Sequence, residues 1–126
     1  MPAGVYKELK LLLLHVGALI GIVTEGKRKI MAVYMIIEAK EIMDRPKYGE
    51  YIEKVPRTIE KYGGKYLARG GEVTVVSGDW KPARLIVVEF ASMEKFHAWW
   101  RSPEYRAIAP LREQSAKVNC IVVEGV

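Results

Sequence analysis

Met31-Ala-Val-Tyr-Met-Ile-Ile-Glu38 is the stretch on which the reading of this chain turns. Ala32 to Ala39 is an almost unbroken apolar run with β-branched members, too short for a helix and suited to a strand buried on both faces. It opens a domain that the pattern carries to Val126, whereas residues 1 to 30 follow no such pattern.

Outward from that strand the periodicities change in order. Asp44 caps a helix entered through Arg45-Pro46, where a proline in the first turn costs no hydrogen bond. Tyr48, Tyr51, Ile52, Val55, Ile59 and Tyr62 recur at three- and four-residue spacings and share one face. Pro56 is expected to bend or split this helix, because it removes a backbone donor and clashes with the preceding turn. Gly63 and Gly64 end it with left-handed backbone. Lys65 to Ser77 returns to strand character, with Gly70-Gly71 as the expected bulge. Ser77-Gly-Asp-Trp-Lys-Pro-Ala83 is a turn cluster and Arg84 to Ala91 a continuous strand, so the two strands form a hairpin. Ser92 caps a helix through Met93 to Arg101; Ser102-Pro103-Glu104 restarts it, and Pro110 restarts it again to about Ala116. Asn119 to Val123 is the last strand. Strand, helix, strand, strand, helix, strand predicts an α+β, ferredoxin-like βαββαβ fold with a four-stranded antiparallel sheet.

Alternation then bears on assembly. The first strand places Tyr34 and Ile36 on one side and Val33, Met35 and Ile37 on the other; the third places Leu85 and Val87 opposite Ile86, Val88 and Phe90. Both faces are apolar, yet two helices cover only one face of such a sheet. Burying the other is favourable by about 25 cal/mol per Å². Its expected cover is an identical sheet, which makes the protein a homodimer. The alternative cover is Leu11 to Val23, if that segment belongs to the folded protein.

Charge divides the chain at the same place. Of 20 Lys and Arg and 15 Asp and Glu, residues 1 to 30 hold Lys7, Lys10, Lys27, Arg28 and Lys29 against Glu8 and Glu25, which leaves the domain at only +2. A near-neutral domain has no electrostatic footprint for nucleic acid. Leu11 to Val23 is apolar except for His15 and follows two lysines, like the h-region of a signal peptide. It falls short of the roughly 20 residues of a membrane span, and no small-x-small cleavage site follows it. Glu25-Gly-Lys-Arg-Lys29 can be encoded by purines alone just before Met31, as a translated ribosome-binding site would be, although Arg69-Gly-Gly-Glu72 can be as well. Residues 1 to 30 are therefore read as an extension with three open origins: a mis-assigned start with Met31 as the true one, an export or anchor segment, or an extra helix. No membrane contact is expected unless the extension is real. The single Cys120 provides no disulfide framework, which fits a reducing cytoplasm.

Tyr62-Gly-Gly-Lys-Tyr-Leu-Ala-Arg-Gly-Gly71, Gly78-Asp-Trp-Lys-Pro-Ala-Arg84, Glu89-Phe-Ala-Ser-Met93, Trp100-Arg-Ser-Pro-Glu-Tyr105 and Val123-Glu-Gly-Val126 together resemble the bacterial family known as domain of unknown function 1330. The resemblance covers Met31 to Val126 and leaves residues 1 to 30 unmatched. It implies a dimeric α/β barrel, in which two ferredoxin-like sheets face each other, and it implies architecture without chemistry. Proteins of that fold, such as cofactor-independent monooxygenases, commonly place small apolar ligands between sheet and helices. Fold does not carry function with it, so the groups themselves must be weighed.

Glu89 interrupts an apolar strand, and a carboxylate there needs a partner or a raised pKa; Arg69 on the neighbouring strand is the expected mate. In the functional version Glu89 is a general base and Arg69 anchors an anionic or enol substrate; in the structural version they are an ion pair at the sheet edge. Tyr48, Tyr51, Trp100, Tyr105 and Trp80 are the candidate ligand-binding aromatics, although such residues at helical spacing also serve as core or interface. Trp80 is not needed by its turn, so it is expected to pack across a dimer boundary or lid a cavity. His97, unpartnered at ligand spacing, reads as a surface or packing residue, Cys120 as a buried inert thiol and Arg112 as a solvent-exposed charge. No phosphate loop, dinucleotide fingerprint, zinc spacing or nucleophile elbow occurs, so no cofactor and no metal is expected. Two classes remain: a cofactor-independent enzyme or binder of a small apolar or anionic metabolite, and a dimeric structural or interaction module.

Overall fold

The elements follow from local chemistry that the sequence carries. In the computed structural model, which describes residues 30–126, they are β1 (Val33–Ile42), α1 (Arg45–Lys61), β2 (Lys65–Arg69), β3 (Leu85–Phe90), α2 (Met93–Trp100), α3 (Pro103–Ser115) and β4 (Ala116–Glu124). The extension before Ile30 lies outside the described residues, and so do the expectations made for it. The sheet order is β2-β3-β1-β4 with every neighbour antiparallel, the ferredoxin-like arrangement.

Each helix starts on a side-chain oxygen. Asp44 accepts from the Lys47 amide at 3.0 Å, Ser92 from Lys95 at 3.1 Å and Ser102 from Tyr105 at 3.1 Å, each serving an amide with no intrahelical partner. Helix α1 ends at Gly63, whose φ of +80° places the Gly63 amide on the Glu60 carbonyl and the Gly64 amide on that of Ile59.

Two expectations about prolines are corrected. Neither Pro56 nor Pro110 breaks its helix: α1 and α3 each run through it. Pro56 deprives the Ile52 carbonyl of its helical donor, and the Arg69 guanidinium supplies a replacement at 2.9 Å. Pro110 deprives the carbonyl of Arg106 of its helical donor, and both residues are exposed, where such a group is not desolvated.

The strands differ from expectation at their ends. β2 stops at Arg69 rather than Ser77, because the six residues of β3 are used up: the last rung is the Gly70 amide on the Leu85 carbonyl. Val73 to Val76 has strand composition and no strand to pair with. The bulge falls between Tyr66 and Ala68, not at Gly70-Gly71. β4 begins at Ala116, directly on the end of α3, three residues before the expected start.

The three helices cover one face of the sheet. Val33 and Met35 from β1, Ile86, Val88 and Phe90 from β3, Val55 and Ile59 from α1, Trp99 from α2 and Tyr105 and Ala109 from α3 make one buried core. The Trp99 indole donates to Thr58 Oγ1 at 2.9 Å, which fixes α2 to α1 through a satisfied polar contact. On the opposite face Ile36 stands beside Val87 and Ile121, and Tyr34 beside Glu89 and Val123. Ile121 is 60% and Val123 48% exposed there, so the expected second apolar face is present and is not covered by any of the described elements.

Candidate functional site

Between the helices and the sheet the packing leaves a cavity of about 40 Å³, and the full concavity with its open mouth measures about 540 Å³. The enclosed part holds roughly three waters. Its walls are Met35 and Ile37 of β1, Ile86 of β3, Tyr48, Tyr51, Ile52, Val55 and Ile59 of α1, Trp99 and Trp100 of α2, Tyr105 of α3, and Val118 and Cys120 of β4. Arg69, Arg84, Arg112 and Tyr66 complete them. Three guanidinium groups therefore face this space, and no Asp, Glu or His among the described residues lines it.

The polar groups form a chain. Arg112 Nε donates to the Tyr105 hydroxyl at 3.2 Å, and the Tyr105 and Tyr51 hydroxyls are 3.0 Å apart. With an arginine donating to Tyr105, its proton is best placed toward Tyr51, which frees the Tyr51 proton for the cavity. Burial, reinforced by Tyr105, holds the Tyr51 hydroxyl well above the usual phenol range, so it is a donor and not a base at neutral pH. Burial raises Tyr66 as well, against the opposing pull of Arg69, whose guanidinium lies 4.8 Å from the Tyr66 ring centre.

Arg84 and Gly70 are built together. Gly70 has φ +72°, and a Cβ there would collide with the Arg84 guanidinium. Arg84 Nε is buried and has no hydrogen-bond partner among the described residues.

Of the expected ligand-binding aromatics, Tyr48, Tyr51, Trp100 and Tyr105 come together in the cavity wall. Trp80 does not: it is 59% exposed and donates to Glu38 Oε2 at 3.2 Å from the loop before β3. The Glu89–Arg69 pair is also corrected. Glu89 stands opposite Lys65 on the uncovered face, whereas Arg69 stands opposite Ile86 on the helix face. The extra residue at Leu67 is the cause, since it reverses the alternation along β2 and turns Arg69 inward.

Arg84 is the site residue that the sequence reading passed over, and Arg112, expected as a solvent-exposed charge, instead lines the cavity; counting finds both. Arg84 shares the parity of Ile86, Val88 and Phe90, and Arg112 lies two turns after Tyr105. Cys120, expected to be buried, is exposed at the edge of the cavity, where partial desolvation still raises its thiol pKa. His97 lies outside the cavity, exposed, with its ring 5.4 Å from that of Phe96. No group of three His, Cys, Asp or Glu among the described residues is placed to hold a metal.

With that geometry in hand, the comparisons are specific about family. A family model described as "Domain of unknown function (DUF1330)" matches residues 32–126. The chain belongs to the DUF1330 family. No curated protein matches it. Among solved structures, this DUF1330 domain is similar to the RPA0582 protein of unknown function from Rhodopseudomonas palustris, at 18% identity and TM-score 0.64 over 81% of this chain and 88% of that one. It is similar to SnoaB, a cofactor-independent oxygenase from Streptomyces nogalater, at 6% identity and TM-score 0.56 over 76% and 94%. A dimeric ferredoxin-like protein of unknown function from Thermobifida fusca matches at 12% identity and TM-score 0.55 over 79% and 95%. At these identities the likeness is one of fold alone.

Proposed function

We propose that this domain binds a small, compact organic molecule in the cavity between its sheet and helices, without a dedicated cofactor. The observation that carries the reading is a wall of aromatic and aliphatic side chains among which three arginines and the Tyr51 end of a hydroxyl chain are set as donors. Such a wall polarises a carbonyl or holds an oxyanion, and it has no side-chain base among the described residues to abstract a proton. Any turnover would therefore act on a ligand that ionises readily by itself. The fold is shared with a cofactor-independent oxygenase, which adds weight to that version. Two copies pair through the uncovered sheet face, as the exposed Ile121 and Val123 favour and as a solved relative described as dimeric supports. Residues 31–126 are the functional domain. A cytoplasmic location suits the lone thiol, and no helix among the described residues is long and apolar enough to cross a membrane.

The small enclosed volume favours the second reading, a dimeric module with a packed interior. Native mass spectrometry of the purified chain, with melting curves against a metabolite panel, decides between them. A ligand at 100 times its Kd stabilises by about 2.7 kcal/mol, roughly 10 °C or more for a domain of this size. Tyr51→Phe should reduce that shift. No adduct mass and no shift across the panel would leave the structural module as the answer.

A further inference from the structure

Resting on the proposed pocket, we infer that its ligand is a small apolar monocarboxylate and that Arg84 is the residue that reads the carboxylate. The three cavity arginines are not equivalent. Arg69 is engaged with the Ile52 carbonyl and Arg112 with the Tyr105 hydroxyl. Arg84 has a buried Nε with no partner, in a wall that contains no carboxylate among the described residues. A charged donor buried without an acceptor is costly in the empty protein, and a carboxylate is the acceptor that fits a guanidinium; it meets the terminal N–H groups first, and pairing with the closed-off Nε requires the side chain to shift. The chain makes room for this group: Gly70 lacks the Cβ that would displace the guanidinium, and its amide ties the end of β2 to Leu85 beside it. The carboxylates of the paired strands β1 and β3 nearest the site, Glu38 opposite Leu85 and Glu89, lie on the other face of the sheet, so neither neutralises the pocket. The cavity size limits the rest of the molecule to a compact apolar body.

The test is calorimetric titration of the full chain with benzoate, phenylpyruvate and 4-methyl-2-oxopentanoate, each beside its neutral amide. At least one acid should bind 10-fold or more tightly than its amide. Arg84→Met should lose at least 10-fold of that affinity while its unliganded melting temperature stays level or rises, because no partner is orphaned. Arg84→Lys, which keeps the charge without the fork, should fall between, and it carries the test if the Met variant fails to fold. Glu89→Gln should bind like the parent. Equal binding of acid and amide, or unchanged binding by both Arg84 variants, overturns the carboxylate assignment and leaves the pocket standing. Absence of binding by every acid and every amide removes both.

Discussion

The two faces of one sheet make the sharpest contrast in the molecule. They are built from the same strands by alternation, and both are apolar, yet their environments share little. On the helix face, Val33, Val88 and Phe90 are fully buried, and the charges admitted are arginines. On the other face Ile121 and Val123 remain open, and the charges are of both signs, Glu38 and Glu89 with Lys65. The first face is committed by covalent connection to its helices; the second has no cover among the described residues.

The contrast can be broken from either side. Trp99→Ala removes a buried ring and the donor to Thr58, and is expected to cost about 3–5 kcal/mol in urea unfolding; a loss under 1 kcal/mol would mean that the inner face is not the core. Ile121→Glu should leave the fold of each chain intact while light scattering reports the monomer mass; an unchanged dimer would move the interface elsewhere. Arg69→Met should cost about 1 kcal/mol by orphaning the Ile52 carbonyl. That cost should vanish in a Pro56→Ala background, where residue 56 again supplies the amide, and a double-mutant cycle measures the difference. The smallest effect concerns the helical layer itself. A hydrogen bond from Lys61, helped by the helix backbone and Tyr62, holds the Glu104 carboxyl down at about 2, from an ordinary 4.5. Since its folded value is the lower one, its contribution is complete above pH 4.5 and is lost as pH falls toward 2. The gap in urea midpoint between the parent and Glu104→Gln should be small at pH 5 and close at pH 2.

Much of this was legible in the residues. The apolar run of β1, the capped and periodic α1 and the parity of β3 are local signals, and each locates its element within a few residues. What the sequence reading missed depended on partners distant in sequence. Val73 to Val76 looks like a strand, but a strand needs a neighbour, and β3 is too short to provide one. Pro56 looks like a break, but a carbonyl freed in α1 is met by an arginine from β2. Arg84 and Arg112 could have been found by counting along strand and helix. The orphaned Nε of Arg84 could not, because burial of one atom is decided by the packing of β2 against β3.

The Leu67 bulge sets which chamber receives a charge. Arg69 faces the cavity because Leu67 is left out of the pairing register ahead of it, and not because of anything in Arg69 itself. Loss of a single codon at Leu67 would restore plain alternation with Ala68 still opposite Val87 and Arg69 still opposite Ile86, so the guanidinium would keep its place in the cavity wall. Within this family, a one-residue gap at that point of β2 would then leave the pocket charge in place, whereas pairing Leu67 in regular register would send Arg69 to the face that carries Lys65 and Glu89.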